Sequence, residues 1–132
     1  MVSLASMENE HIVLIVDDEQ DFVEAVVKRL MRRGFRVYGV NGGQEALDIL
    51  RQHPVDVVVL DVLMPGMDGL ETLRRMKEMH PQVQVILLSG HGGEELGMRG
   101  MAYGAFAYLL KPVAFSRLVE TIIQASENAP LR

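Results

Sequence analysis

Five short apolar runs alternate with five amphipathic segments along this chain, and that alternation constrains the fold more than any other feature. The runs lie at Ile12–Val16, Arg36–Val40 (the weakest), and residues 55–60, 83–88 and 106–110. A run such as Val57, Val58, Val59, Leu60 has no polar alternation, so it reads as a strand buried on both faces. Between the runs, residues 20–33 place Phe22, Val26 and Leu30 on one helical face, with Gly34 as a stop. Gly43–Gln52 presents Ala46, Leu47 and Leu50, and Asp68 with Glu71 has capping-box spacing ahead of a helix to about Met79. Residues 94–103 have helical spacing but contain Gly97 and Gly100, which suggests a pliable fourth helix. Phe115, Leu118, Ile122 and Ala125 mark a last helix. Strand followed by helix, five times over, predicts an α/β fold with a parallel sheet covered on both faces. The doubly wound order 2-1-3-4-5 opens a crevice between the first and third strands.

The chain has 132 residues, enough for one domain with a real core. Residues 11–127 are expected to form it. Residues 1–10 read as a flexible segment or cloning remnant, and residues 128–132 as a fraying end. A net charge of −5 without a Lys/Arg cluster argues against a nucleic-acid surface. No apolar run approaches the roughly 20 residues that span a bilayer, so no membrane contact is expected. The absence of cysteine excludes disulfides and thiolate metal sites and fits a cytoplasmic location.

In a parallel sheet, chemistry gathers at the carboxyl ends of the strands. The first run ends in Asp17, Asp18 and Glu19, the third in Asp61, the fourth in Ser89, and the fifth in Lys111 before Pro112. Asp17, Asp18 and Asp61 would repel one another, and one lysine cannot neutralise them. A hard divalent cation can: Mg2+ (or Mn2+), with Asp18 and Asp61 as direct ligands and Asp17 acting through water. A cation beside an exposed carboxylate, an ammonium and a hydroxyl suggests phosphoryl transfer to Asp61, with Lys111 and Ser89 receiving the phosphoryl oxygens. Taken singly, Asp17 and Asp18 could merely cap a helix, Ser89 could be a turn residue, and Tyr108 could be core packing. Glu19 reads as solvated.

Together, in this order and each at a strand end, these residues make residues 11–126 resemble the receiver domain of bacterial two-component response regulators. The resemblance rests on Asp17, Asp18, Asp61 with Pro65 and Gly69 after it, Ser89 with Gly90, and Lys111 with Pro112. It implies a (βα)5 flavodoxin-like fold and phosphorylation of Asp61 by a phosphohistidine of a sensor kinase or phosphotransfer protein. It implies Mg2+ held by Asp18, Asp61 and the backbone carbonyl of Leu63. It implies a switch in which Ser89 moves toward the phosphoryl group and Tyr108 turns inward behind it. That change would reach the surface of the fourth helix, fifth strand and fifth helix, where an output partner or attached domain reads it. A cis bond at Lys111-Pro112 is also implied. The chain is then a signalling switch rather than an enzyme, with only self-catalysed phosphoryl transfer and autodephosphorylation.

Some positions depart from the family pattern. Ser89 replaces the commoner Thr. Phe106 and Ala107 stand where dimerising members carry an acidic pair, so a monomer or weak dimer is expected. Leu63 and His91 are expected to flank the phosphoryl group. The alternative function is a phosphohydrolase with an aspartyl-phosphate intermediate. Such enzymes usually carry a second aspartate two residues beyond the nucleophile, whereas Leu63 follows Asp61 and Glu19 follows Asp17 at that spacing.

Overall fold

The computed structural model describes residues 11–129. Strands β1 (Ile12–Val16), β2 (Arg36–Val40), β3 (Val57–Asp61), β4 (Gln84–Ser89) and β5 (Ala107–Leu110) alternate with helices α1 (Gln20–Arg32), α2 (Gly43–Gln52), α3 (Gly69–Met79), α4 (Glu94–Ala102) and α5 (Phe115–Glu127). All strand pairs are parallel, and the sheet order is β2-β1-β3-β4-β5. The residues named in the first and last segments of the sequence reading, 1–10 and 130–132, lie outside the described residues. Asn128 and Ala129 close α5 through N–H bonds to the carbonyls of Ala125 and Ser126.

Side chains on a strand alternate between faces, so each inner strand feeds two cores. Leu14, Val58, Leu60, Val85 and Leu87 pack with Ala46, Leu47 and Leu50 of α2, Leu73 and Met76 of α3, and Leu96 of α4. Val13, Ile15, Val57, Val59, Ile86 and Leu88 pack with Val23, Val26 and Leu30 of α1 and with Leu118, Val119, Ile122 and Ala125 of α5. Each such aliphatic side chain contributes roughly 1.5–3 kcal/mol on full burial. The uninterrupted apolar runs of β1 and β3 thus reflect burial on both sides.

Two strands run past the end of their apolar stretch. Asp61 pairs with Leu88, and Ser89 with Leu110. Ladder bonds use the backbone alone, so a polar side chain does not end a strand. β3 also starts later than the apolar run: Val55 is buried but precedes the strand, and the Asp56 carboxylate accepts the Ile12 N–H at 2.8 Å.

Only half of the anticipated capping box forms on α3. Asp68 accepts the Glu71 N–H at 3.0 Å, but the Glu71 carboxylate turns outward to Arg74 and Arg75. Gly97 and Gly100 also have a packing role that the sequence did not show: both are buried points of close approach. A Cβ on Gly97 would stand 2.4–2.8 Å from ring atoms of Tyr108, and one on Gly100 would stand 2.2 Å from Leu87 Cδ1.

Candidate functional site

Because every strand points the same way, the four polar clusters of the sequence meet on one edge of the sheet. β1 delivers Asp17 and Asp18, β3 delivers Asp61, β4 delivers Ser89, and the turn after β5 delivers Lys111. One oxygen each from Asp17, Asp18 and Asp61 lies within 4.8 Å of the others. Asp18 is exposed, whereas Asp17 is fully buried and Asp61 is only 4% exposed.

The burial of Asp61 corrects the expectation of an exposed carboxylate. The strand carries it to the rim of the core, and the following loop donates the Leu63 N–H to its Oδ1. Gly66, at φ 72°, lets that loop reverse. Gly69 brings α3 close enough that a Cβ there would stand 2.8 Å from the Val62 carbonyl oxygen.

Backbone and side-chain bonds fix the carboxylates. Asp61 Oδ1 accepts the Leu63 N–H at 2.9 Å, and Asp17 Oδ1 accepts the Glu19 N–H at 2.9 Å. The Asp17 carbonyl takes a bond from the Asn41 amide at 3.0 Å. Lys111 Nζ lies 2.7 Å from Asp17 Oδ2, 2.8 Å from Glu19 Oε1 and 3.4 Å from Asp61 Oδ2. It also sits 5.2 Å from the centre of the Phe22 ring, a favourable place for a cation. The Lys111-Pro112 bond is cis.

Charge explains the proton affinities. Burial raises Asp17 above the ordinary 3.8, with the Lys111 bond opposing that rise. Burial by itself would lower Lys111, but bonds to Asp17 and Glu19, and the charges of Asp17 and Asp61, push it above the usual lysine range. Three clustered carboxylates and one ammonium leave the site short of positive charge. The donors are all hard oxygens, so the residues present fit a small divalent cation.

Ser89 is fully buried, and its Oγ donates to the Tyr108 hydroxyl at 3.0 Å. Tyr108 already lies inward, in the slot that Gly97 leaves its ring, which corrects the expectation of a ring that turns inward behind Ser89. Leu63 leans the other way, over Gly93: a Cβ on that glycine would stand 2.8 Å from Ser89 Cβ and 2.9 Å from Leu63 Cδ1. His91 is exposed in the loop after β4. Glu19 and Phe22 as neighbours of Lys111 were not read from the sequence. Their signal was their place within four residues of Asp18, at the start of α1.

The response regulator receiver domain family matches residues 13–123. The chain belongs to that family. A receiver domain is a signalling domain of two-component systems, and the strand order and site described above are those of this receiver. It is 34% identical over 119 residues to the C4-dicarboxylate transport transcriptional regulatory protein DctD of Rhizobium meliloti, covering 90% of this chain and 26% of that one. It is 37% identical over 122 residues to a putative response regulator NtrX-like protein of Rickettsia bellii, covering 91% of this chain and 26% of the relative. The receiver therefore spans about a quarter of the length of these relatives. The crystal structure of a response regulator receiver domain protein from Clostridium thermocellum superposes with a TM-score of 0.83 at 33% identity, covering 89% of this chain and 94% of that one. No helix among the described residues is long and apolar enough to cross a membrane.

Proposed function

We infer that this receiver accepts a phosphoryl group on Asp61 from a phosphohistidine of a sensor kinase or phosphotransfer protein and passes the change to an output partner. The observation that carries the reading is the position of Lys111. Its ammonium bridges the carboxylates of β1 and β3 at the mouth of the site. An Asp61 oxygen attacks phosphorus as the P–N bond breaks, and the imidazole keeps that electron pair. No general base is needed, because a carboxylate nucleophile has no proton to give up as it attacks. Lys111 then serves as the positive partner of a phosphoryl oxygen, a role that consists of positioning and charge neutralisation.

Asp18, Asp61 and the Leu63 carbonyl would hold Mg2+ (or Mn2+), with Asp17 acting through water. When bound, the cation supplies the positive charge that Lys111 alone cannot. Ser89 moves from the Tyr108 hydroxyl to the phosphoryl group, and this exchange of partners carries the signal toward α4, β5 and α5. The length of the relatives supports an output segment elsewhere in the full protein. The low positive charge supports a protein partner rather than direct nucleic-acid contact.

Incubation with Mg2+ and acetyl phosphate, followed by intact mass measurement, tests the reading. One phosphoryl adduct is expected on the wild type and none on Asp61→Asn. A wild type that stays unmodified, or an adduct that survives Asp61→Asn, refutes it.

A further inference from the structure

Lys111 has three carboxylate neighbours, and the one it must leave differs from the other two. Asp17 is fully buried and anchored by the Glu19 N–H. Asp61 is held by the Leu63 N–H. The Glu19 side chain is 65% exposed and has no other bond: although Glu19 is the N-cap residue of α1, its side chain makes no capping bond to that helix. Yet it lies 2.8 Å from Lys111 Nζ, against 3.4 Å for Asp61. The ammonium therefore rests nearer to Glu19 and Asp17 than to the proposed acceptor.

We propose that Glu19 is a positioning residue that holds Lys111 back from Asp61 and so slows phosphoryl capture. The proposal rests on the reading of Asp61 as the phosphoacceptor. With acetyl phosphate as donor, an Asp61 oxygen forms the new O–P bond, the bond from phosphorus to the acyl oxygen breaks, and acetate leaves with that electron pair. Lys111 keeps its proton throughout and exchanges the Glu19 carboxylate for a phosphoryl oxygen. The Glu19 pair must break before the ammonium is fully available. Because Glu19 is exposed, that pair is weak. An exposed pair of up to about 1 kcal/mol corresponds to roughly a fivefold change in rate.

The test compares the rate of Asp61 phosphorylation by acetyl phosphate in the wild type, Glu19→Gln and Asp21→Asn, each across a range of Mg2+ concentration. Both substitutions remove one exposed negative charge near the start of α1, but only Glu19 contacts Lys111. Glu19→Gln is expected to be about three- to fivefold faster at saturating Mg2+, with an unchanged half-saturating concentration, while Asp21→Asn stays at the wild-type rate. Equal or slower modification of Glu19→Gln overturns the proposal. So does equal acceleration in Asp21→Asn, which would assign the effect to net charge. A raised half-saturating Mg2+ concentration in Glu19→Gln also overturns it, because Glu19 would then be serving the metal. Failure of the underlying reading is distinguishable, since it leaves the wild type unmodified or leaves an adduct that survives Asp61→Asn, whatever the rate in Glu19→Gln.

Discussion

Gly97→Ala isolates the contact between α4 and Tyr108. The added methyl would stand 2.4 Å from Tyr108 Cε1 and 2.5 Å from Cδ1, so the ring cannot keep its place. Two effects oppose each other. Alanine in a helix interior is about 1 kcal/mol better than glycine. Expelling the ring breaks the bond between Ser89 and Tyr108, at about 0.5–1.5 kcal/mol, and uncovers part of a half-buried aromatic side chain, at about 1 kcal/mol more. The net expectation is a loss of roughly 0.5–1.5 kcal/mol. In a Tyr108→Ala background the slot is empty, and the same Gly97→Ala change should stabilise by about 1 kcal/mol. The sign therefore reverses, and the coupling between the two positions is about 2 kcal/mol. Urea denaturation of the wild type, both single variants and the double variant measures it. Additivity within about 0.5 kcal/mol would refute the assignment of Gly97 as the slot for the ring.

Three further outcomes follow from the geometry. Mg2+ should raise the wild-type melting temperature, by the equivalent of about 2.7 kcal/mol at a hundredfold excess over Kd, and Asp18→Asn should abolish most of that rise in a thermal melt. Burial raises Asp17, so its favourable contribution is full below its unfolded value of 3.8 and is lost as pH rises through the raised value. Asp17→Asn should accordingly gain stability relative to the wild type as urea titrations are repeated from pH 4 toward pH 7. Asp68→Ala removes the bond to the Glu71 N–H and should lower stability by about 1 kcal/mol in the same assay.

The sheet was legible because burial on two faces leaves a plain mark: a strand such as Val57 to Leu60 has no polar position to spare. Strand ends were less so. Asp61 and Ser89 extend β3 and β4 through backbone pairing that side-chain polarity does not report. Asp17, Asp18, Asp61, Ser89 and Lys111 could be gathered on paper because parallel strands bring their carboxyl ends together whatever their separation in sequence. The pairing of Lys111 with Glu19 could not, since it is made between the tips of two flexible side chains, whose directions the strand order does not set. The packing role of the two glycines of α4 was hidden for a related reason. A missing Cβ looks like flexibility until the Tyr108 ring and Leu87 are seen to fill the space.

The sheet order also divides the site by stiffness. Asp17 follows β1 and Asp61 ends β3, two strands buried along their whole length and flanked by a strand on each side. Tyr108 and Lys111 belong to β5 and its exit, a short, partly exposed strand bonded only to β4. Displacing β5 breaks one ladder, whereas displacing β1 or β3 breaks two. The groups that anchor negative charge are thus mounted on the rigid middle of the molecule, and the groups that answer to it are mounted on its rim. A disturbance at the carboxylates meets least resistance along that outer edge.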